Sequence, residues 1–264
     1  MGVVWASAFP FGENEQDVVL APVLDTIGIC TDLDEGKEAC PPNRIEVDMS
    51  TQRLVVYAPS SFAKGQEVRL SMPGKSSAQY MLNNGFSRDR ASPKLDKLDL
   101  TVTLDPSDSL APLKNYLLQS QLNESINATY AFFYGSSKID DAISTSLKMK
   151  LLSGAELSRY KELLTPKEEN SKEDRSILSL RNEFVFTRAI ISTCTTLLEQ
   201  YPTTLEQDQS TLDKLTKDDV ENVRKAHIQR ILIMEKHILK GTMDIAVEDW
   251  KALVFSSHPS LQEV

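Results

Sequence analysis

Apolar and polar residues alternate in short runs over roughly the first hundred positions of this chain, then recur at three- and four-residue steps over the rest. In the first part, Arg44-Ile45-Glu46-Val47-Asp48 has the period of two that a half-buried strand requires. The same reasoning predicts strands over 53–57, 67–70 and 98–104, each bounded by Pro, Ser, Gly or Asn. The stretch Pro59-Ser60-Ser61-Phe62-Ala63-Lys64-Gly65 reads as a loop that reverses the chain between two of them. Residues 31–43 are charged and contain proline, which reads as an exposed excursion.

From Pro106 the period changes. Leu110, Leu113, Leu117 and Leu118 fall on one helical face, and 140–164 holds two short amphipathic segments broken at Ser153-Gly154. A charged connector over 165–174 precedes a long helix predicted over 177–201, with Phe186, Ile190, Cys194 and Leu197 as its apolar stripe. The β-branched run at 190–196 has poor helix propensity, so packing must hold that helix. Pro202 ends it, and Thr203 with Glu206 reads as a capping box that starts the next helix. A last helix is predicted over 217–243. Val220, Val223, His227, Ile231, Met234 and Ile238 lie along one face, with Glu221, Lys225, Arg230 and Glu235 elsewhere. The expected fold class is α+β, with a β-rich module over 1–105 and an all-helical domain over 106–264.

The 264 residues, 41% of them hydrophobic, suffice for one large or two modest cores. A formal net charge of -9 argues against direct nucleic-acid binding, which rests on Lys and Arg neutralising phosphates. No apolar run approaches the roughly 20 residues a membrane-spanning helix needs, and the N-terminal stretch lacks a basic region followed by a long apolar one. Secretion and membrane insertion are therefore not expected. Cys30, Cys40 and Cys194 form no C-x-x-C pair and read as reduced thiols. His227, His237 and His258 have no metal-binding spacing. His227 reads as a core or boundary residue and His237 as solvated. No phosphate loop or nucleophile elbow is present, so no other enzyme class has support.

Three segments, in order, carry a family resemblance. Trp5-Ala6-Ser7 with Leu20-Ala21-Pro22-Val23-Leu24-Asp25-Thr26-Ile27-Gly28-Ile29 resembles a Pro-x-x-Asp-x-x-Asn-His motif and its approach. Phe62 to Val68, Met72-Pro73-Gly74-Lys75-Ser76-Ser77 and Asn84-Gly85-Phe86 resemble the strand and turn that close a SET active site. Leu197 to Asp208, containing Tyr201-Pro202-Thr203-Thr204-Leu205-Glu206-Gln207-Asp208, resembles the hallmark of a helical substrate-binding domain. Together they are similar to SET-domain protein-lysine methyltransferases of the Rubisco large-subunit methyltransferase type. The Met-Pro-Gly turn and the Tyr-Pro-Thr-Thr run are especially similar to a SET protein associated with the plastid RNA polymerase.

The resemblance also marks departures. A SET enzyme leads a lysine to the sulfonium methyl of S-adenosylmethionine, and its work is positioning and electrostatics. In the family an Asn-His pair contacts that cofactor. Gly28 and Ile29 stand in those places, with Asp25 retained nearby, and offer no side-chain hydrogen bond. The catalytic tyrosine's place falls on Ser71, Met72 or Pro73, and Asn84 stands where an aromatic residue precedes Gly-Phe. Tyr80, beside Met81-Leu82, reads as core packing. The family's Gly-rich cofactor segment and first SET strands lie upstream of the part that Trp5 resembles, so the SET half is expected to be incomplete.

Two expectations follow from the resemblance. In one, the chain is a non-catalytic pseudoenzyme that binds a protein partner or protein substrate, with no cofactor, within a large assembly. In the other it is part of an active protein-lysine methyltransferase that uses S-adenosylmethionine. Family likeness implies a plastid (chloroplast) location, with cytoplasm or nucleus as the alternatives.

Overall fold

The structure, a computed structural model, describes residues 8–11, 17–20, 28–30, 44–48, 50–51, 53–58, 61–66, 69–71, 75–88, 91–105, 107–157, 179–215 and 220–255. The chain divides into two compact units, Met1–Asp96 with Gln209–Leu232, and Lys97–Asp208 with Ile233–Val264.

In the first unit, β1 (Ala8–Phe11) pairs antiparallel with β2 (Asp17–Leu20), and β3 (Gly28–Cys30) pairs in parallel with β6 (Arg69–Ser71). The strands expected over 44–48 and 53–57 are β4 (Arg44–Asp48) and β5 (Arg53–Tyr57), an antiparallel hairpin with Ile45 opposite Val56. Asp48 organises the turn. Its carboxylate accepts from the Ser50 amide at 2.9 Å and from the Ser50 and Thr51 hydroxyls at 2.6 and 2.5 Å. Those hydroxyls, Ser50 first, hold its pKa down to about 2. Across the strands the Tyr57 hydroxyl donates to Glu46 at 3.0 Å.

Helix α1 (Ser77–Asn84) starts on a capping box. The Gln79 amide donates to the Ser76 hydroxyl at 3.2 Å, and the Ser76 amide donates to the Gln79 side chain at 2.8 Å. It ends at Gly85, whose φ of 78° is the left-handed conformation glycine adopts without a Cβ penalty. Asp96 ties the helix start to the chain that follows. It accepts from the Ser77 amide at 2.5 Å, the Ser77 hydroxyl at 3.1 Å and the Ser92 amide at 2.7 Å, and it is fully buried.

The second unit opens with β7 (Lys97–Thr103), paired antiparallel with β8 (Asn127–Phe133). This is a correction: a strand stands inside the part expected to be all helical. The run Ala128-Thr129-Tyr130-Ala131-Phe132 alternates, and pairing with β7 fixes its register so that Tyr130 and Phe132 are buried. Between the two strands lie α2 (Ala111–Leu117) and a π-helical turn over Leu118–Leu122. The turn ends on Asn123 at positive φ, a position Asn tolerates better than most residues.

Helix α3 (Asp141–Lys150) is capped by Asp140, which accepts from the Ala142 amide at 2.8 Å. Helix α4 (Leu180–Gln200) starts three residues later than periodicity predicts, because Ser179 caps it by accepting from the Asn182 amide at 2.9 Å. Helix α5 (Leu205–Lys214) follows. The last helix, α6 (Val220–Phe255), runs twelve residues beyond its predicted end, since no glycine or proline stops the chain between Met243 and Phe255.

Leu118, Met149 and Leu152 form one core cluster, each at most 2% exposed, with Leu117, Leu122 and Leu157 against it. Burying each such side chain contributes about 1.5–3 kcal/mol. Along α4 the expected residues Phe186, Ile190 and Cys194 are buried. Within this unit α4 meets α6 where the Thr195 hydroxyl lies 3.7 Å from Met243 Sδ and Phe184 packs edge-on to Trp250.

Candidate functional site

Two places combine chemistry-bearing residues with positions singled out in the sequence. The first is in the β-rich unit. Parallel pairing sets Gly28 opposite Arg69, Ile29 opposite Leu70 and Cys30 opposite Ser71. A parallel pair needs a crossover connection, so residues some forty positions apart become neighbours. The strand pair thus brings together Gly28, Ile29 and Ser71, three of the departed positions. Asp25, Met72 and Pro73 lie outside the described residues.

Asn84 is the last residue of α1. Its Oδ1 is buried and accepts no hydrogen bond among the described residues. Just beyond it, Phe86 stacks on Tyr80 at 5.3 Å between ring centroids, and the Arg88 guanidinium lies 4.9 Å from the Tyr80 centroid on the ring face. Tyr80 is 1% exposed, as packing requires. Arg88 is buried as well, with Nη2 donating to the Lys75 carbonyl and Nη1 3.8 Å from Asp96.

The Ser87 amide donates to His227 Nδ1 at 3.1 Å, and the Ser87 hydroxyl donates to the His227 carbonyl at 3.2 Å. An Nδ1 that accepts from an amide is unprotonated, which assigns the neutral Nε2–H tautomer. His227 therefore works as a clasp, the boundary role its sequence position predicts. Among the described residues, the departed positions 28, 29 and 84 bring no reactive side chain. Glycine and an aliphatic residue supply no side-chain donor or acceptor at 28 and 29, and the Asn84 amide cannot act as an acid or base near neutral pH.

The second place is the corner between α4 and α5. The structure corrects the capping box by one residue. Thr204, not Thr203, is the cap: its amide donates to Gln207 at 2.9 Å, and the Gln207 amide donates to its hydroxyl at 3.3 Å. Thr203 is engaged elsewhere, its hydroxyl donating to Asp208 at 2.6 Å. Lys236, from α6, donates to the Thr203 carbonyl at 2.7 Å, to the Thr203 hydroxyl at 3.1 Å and to the Asp208 carboxylate. The ammonium thus uses all three of its donors, which is what a buried charge requires.

Beside it, Glu235 accepts from the Tyr201 hydroxyl at 2.8 Å. Burial first, and that carboxylate second, push the Tyr201 pKa well above the ordinary phenol value. A cavity of about 450 Å³ opens next to this corner, bordered by Leu198, Pro202, Leu205, Lys240 and Met243. Glu235 was legible only as a charge off the apolar stripe, and Lys236 was not singled out in the sequence. Their partners are about thirty residues away, so no local spacing could have found them.

His237 is exposed with its ring edge-on to Tyr134, and His258 lies outside the described residues. Among the described residues no group of three or more His, Cys, Asp or Glu could hold a metal, and no helix is long and apolar enough to cross a membrane.

Comparison with known proteins places this geometry. Residues 105–239, about half of the chain, match the family described as Rubisco LSMT substrate-binding. No curated protein matches. Among solved structures, the SET domain of LSMT bound to lysine and AdoHcy matches all of this chain at 21% identity with a TM-score of 0.74. Rubisco LSMT bound to AdoMet matches 99% of it at 20% identity and a TM-score of 0.72. The chain spans 58% and 57% of the length of those two chains. At such identities the likeness shows the fold, a SET module with a helical substrate-binding domain.

Proposed function

The chain belongs to the family that carries the Rubisco LSMT substrate-binding domain, and from that premise we propose that it is a protein-binding module without methyl transfer of its own. The observation that carries this reading is a contrast between the two loci. The corner of the helical domain has every donor of Lys236 satisfied. The strand pair at the SET locus holds Gly28 and Ile29 where the family has an Asn-His pair, next to Ser71, which with Met72 and Pro73 is one of the three positions on which the tyrosine's place falls.

The relatives' cofactor does not fit this donor set. Side chains that could hold the polar groups of S-adenosylmethionine are missing at 28 and 29. Among the described residues around Tyr80, the buried polar side-chain atoms without a hydrogen-bond partner are Asn84 Oδ1, a neutral acceptor, and Nε and Nη1 of Arg88, whose charge already lies against Tyr80 and Asp96. No step through that group follows. A framework kept while reactive positions are replaced supports recognition of a protein surface by 106–264.

A second reading, in which this stretch is part of an S-adenosylmethionine-dependent protein-lysine methyltransferase, draws on the likeness to chains solved with AdoMet, AdoHcy and lysine. Membership of a large plastid assembly is the part of the proposal that family likeness alone supports. Cross-linking mass spectrometry on the full chain captured with its partner tests the binding reading. Cross-links from lysines at 106–264 are expected, and partner contacts confined to residues before 106 would overturn it.

A further inference from the structure

A second cavity, of about 550 Å³, lies wholly within the second unit, walled by β7, β8 and the facing sides of α3 and α4. Val102, Phe132, Leu147, Phe186 and Ile190 make its lining mainly apolar, and its size is in the range of sites that take small molecules. Four charged groups on its border are accounted for. Lys114 donates to Asp108 at 2.6 Å and to the Lys150 carbonyl at 2.9 Å, and Arg181 pairs with Glu156 at 2.9 Å. Asp105 is exposed and accepts from Ser107.

Lys150 is different. It is 5% exposed and lines the cavity, yet its ammonium has a single hydrogen-bond acceptor among the described residues, the Val102 carbonyl at 3.1 Å. The Tyr130 ring centroid lies 5.1 Å from the ammonium. Glu124 acts on it only from beyond ion-pair distance, being engaged with Tyr130 and Ser146. Burial accordingly pushes the Lys150 pKa below the ordinary lysine value. An ammonium with donors to spare at the wall of an apolar cavity is costly unless an anion completes it.

We propose that this cavity binds an amphipathic monocarboxylate, its apolar tail among Phe132, Leu147, Phe186 and Ile190 and its carboxylate on the Lys150 ammonium. A charge-assisted bond from ammonium to carboxylate supplies the missing acceptor, and the tail is removed from water. The site is separate from the SET locus and does not depend on whether the chain transfers methyl groups.

The test is titration of the full chain with dodecanoate and with dodecanol, both below their aggregation limits. Saturable one-to-one binding of dodecanoate at least about tenfold tighter than dodecanol is expected, the margin of one charge-assisted contact. Lys150→Met should erase that margin and leave dodecanol binding unchanged, with the fold checked by circular dichroism. Ala189→Phe, which fills the cavity wall, should abolish both. Equal affinity for the two ligands in the unaltered chain overturns the proposal even if a variant fails to fold. So does dodecanoate binding that survives Lys150→Met, or no binding at all.

Discussion

Lys236 and Asp208 form an ion pair in which each side chain is 2% exposed, and Thr203 supplies both a carbonyl and a hydroxyl to the same ammonium. A pair so placed adds little by replacement standards, but breaking it strands a charge. Lys236→Met should cost about 3–5 kcal/mol, read as a lower urea midpoint at an unchanged slope. The double variant Lys236→Met, Asp208→Leu should recover a large part of that loss, because no uncompensated charge remains. A double variant as unstable as the single one would show that the pair is worth more than the hydrophobic alternative.

This corner also shows where sequence reasoning reaches its limit. Strands 44–48 and 53–57 and the stripe of α4 are written in local period, and the structure returns them nearly residue for residue. Thr203 and Thr204 carry the same local signal for a cap, and what separates them is Lys236, more than thirty residues away. Strand β8 was missed because it stands between helical segments, and its pairing with β7, some thirty residues upstream, makes it a strand. At the SET locus, residue identities at 28, 29 and 84 were legible from family motifs. That 28, 29 and 71 lie on adjacent strands was not, since parallel register has no local code.

Asp96 is expected to be a second point of fragility. Three donors and the Arg88 guanidinium face its carboxylate, so Asp96→Asn turns an amide NH₂ toward donors and removes the charge opposite Arg88. A loss of about 3 kcal/mol is expected in chemical denaturation. Ser77→Ala, which removes one neutral partner, should cost nearer 1 kcal/mol. A smaller effect at Asp96 than at Ser77 would contradict the role of Asp96 in tying the start of α1 to Ser92.

Cys194 should be inert in the folded chain. It is 2% exposed, and burial pushes its thiol up to about 11, so little thiolate exists at pH 8. Alkylation with iodoacetamide, located by peptide mass spectrometry, should spare Cys194 until denaturant is added. Modification of the native chain at that residue would contradict its placement against the α4 core.

Asp48 carries a definite pH signature. Its pKa falls from the ordinary 3.8 to about 2 through the Ser50 and Thr51 hydroxyls. A depressed carboxylate contributes stability that is fully present above the unfolded value and is lost as pH falls toward the folded one. The β4–β5 turn should therefore loosen between about pH 4 and pH 2 and not near neutrality. The Asp48 carboxyl carbon, followed by NMR, should titrate with a midpoint near 2. An ordinary midpoint would dissolve the turn's network.

The central claim, that the fold survives here without the methyl-donor site, is tested most directly by calorimetric titration of the folded chain with S-adenosylmethionine and S-adenosylhomocysteine. No saturable heat is expected for either, because Gly28 and Ile29 supply no polar side chain. Binding at micromolar strength, about -8 kcal/mol, would contradict the account and favour the reading in which this stretch is part of a methyltransferase.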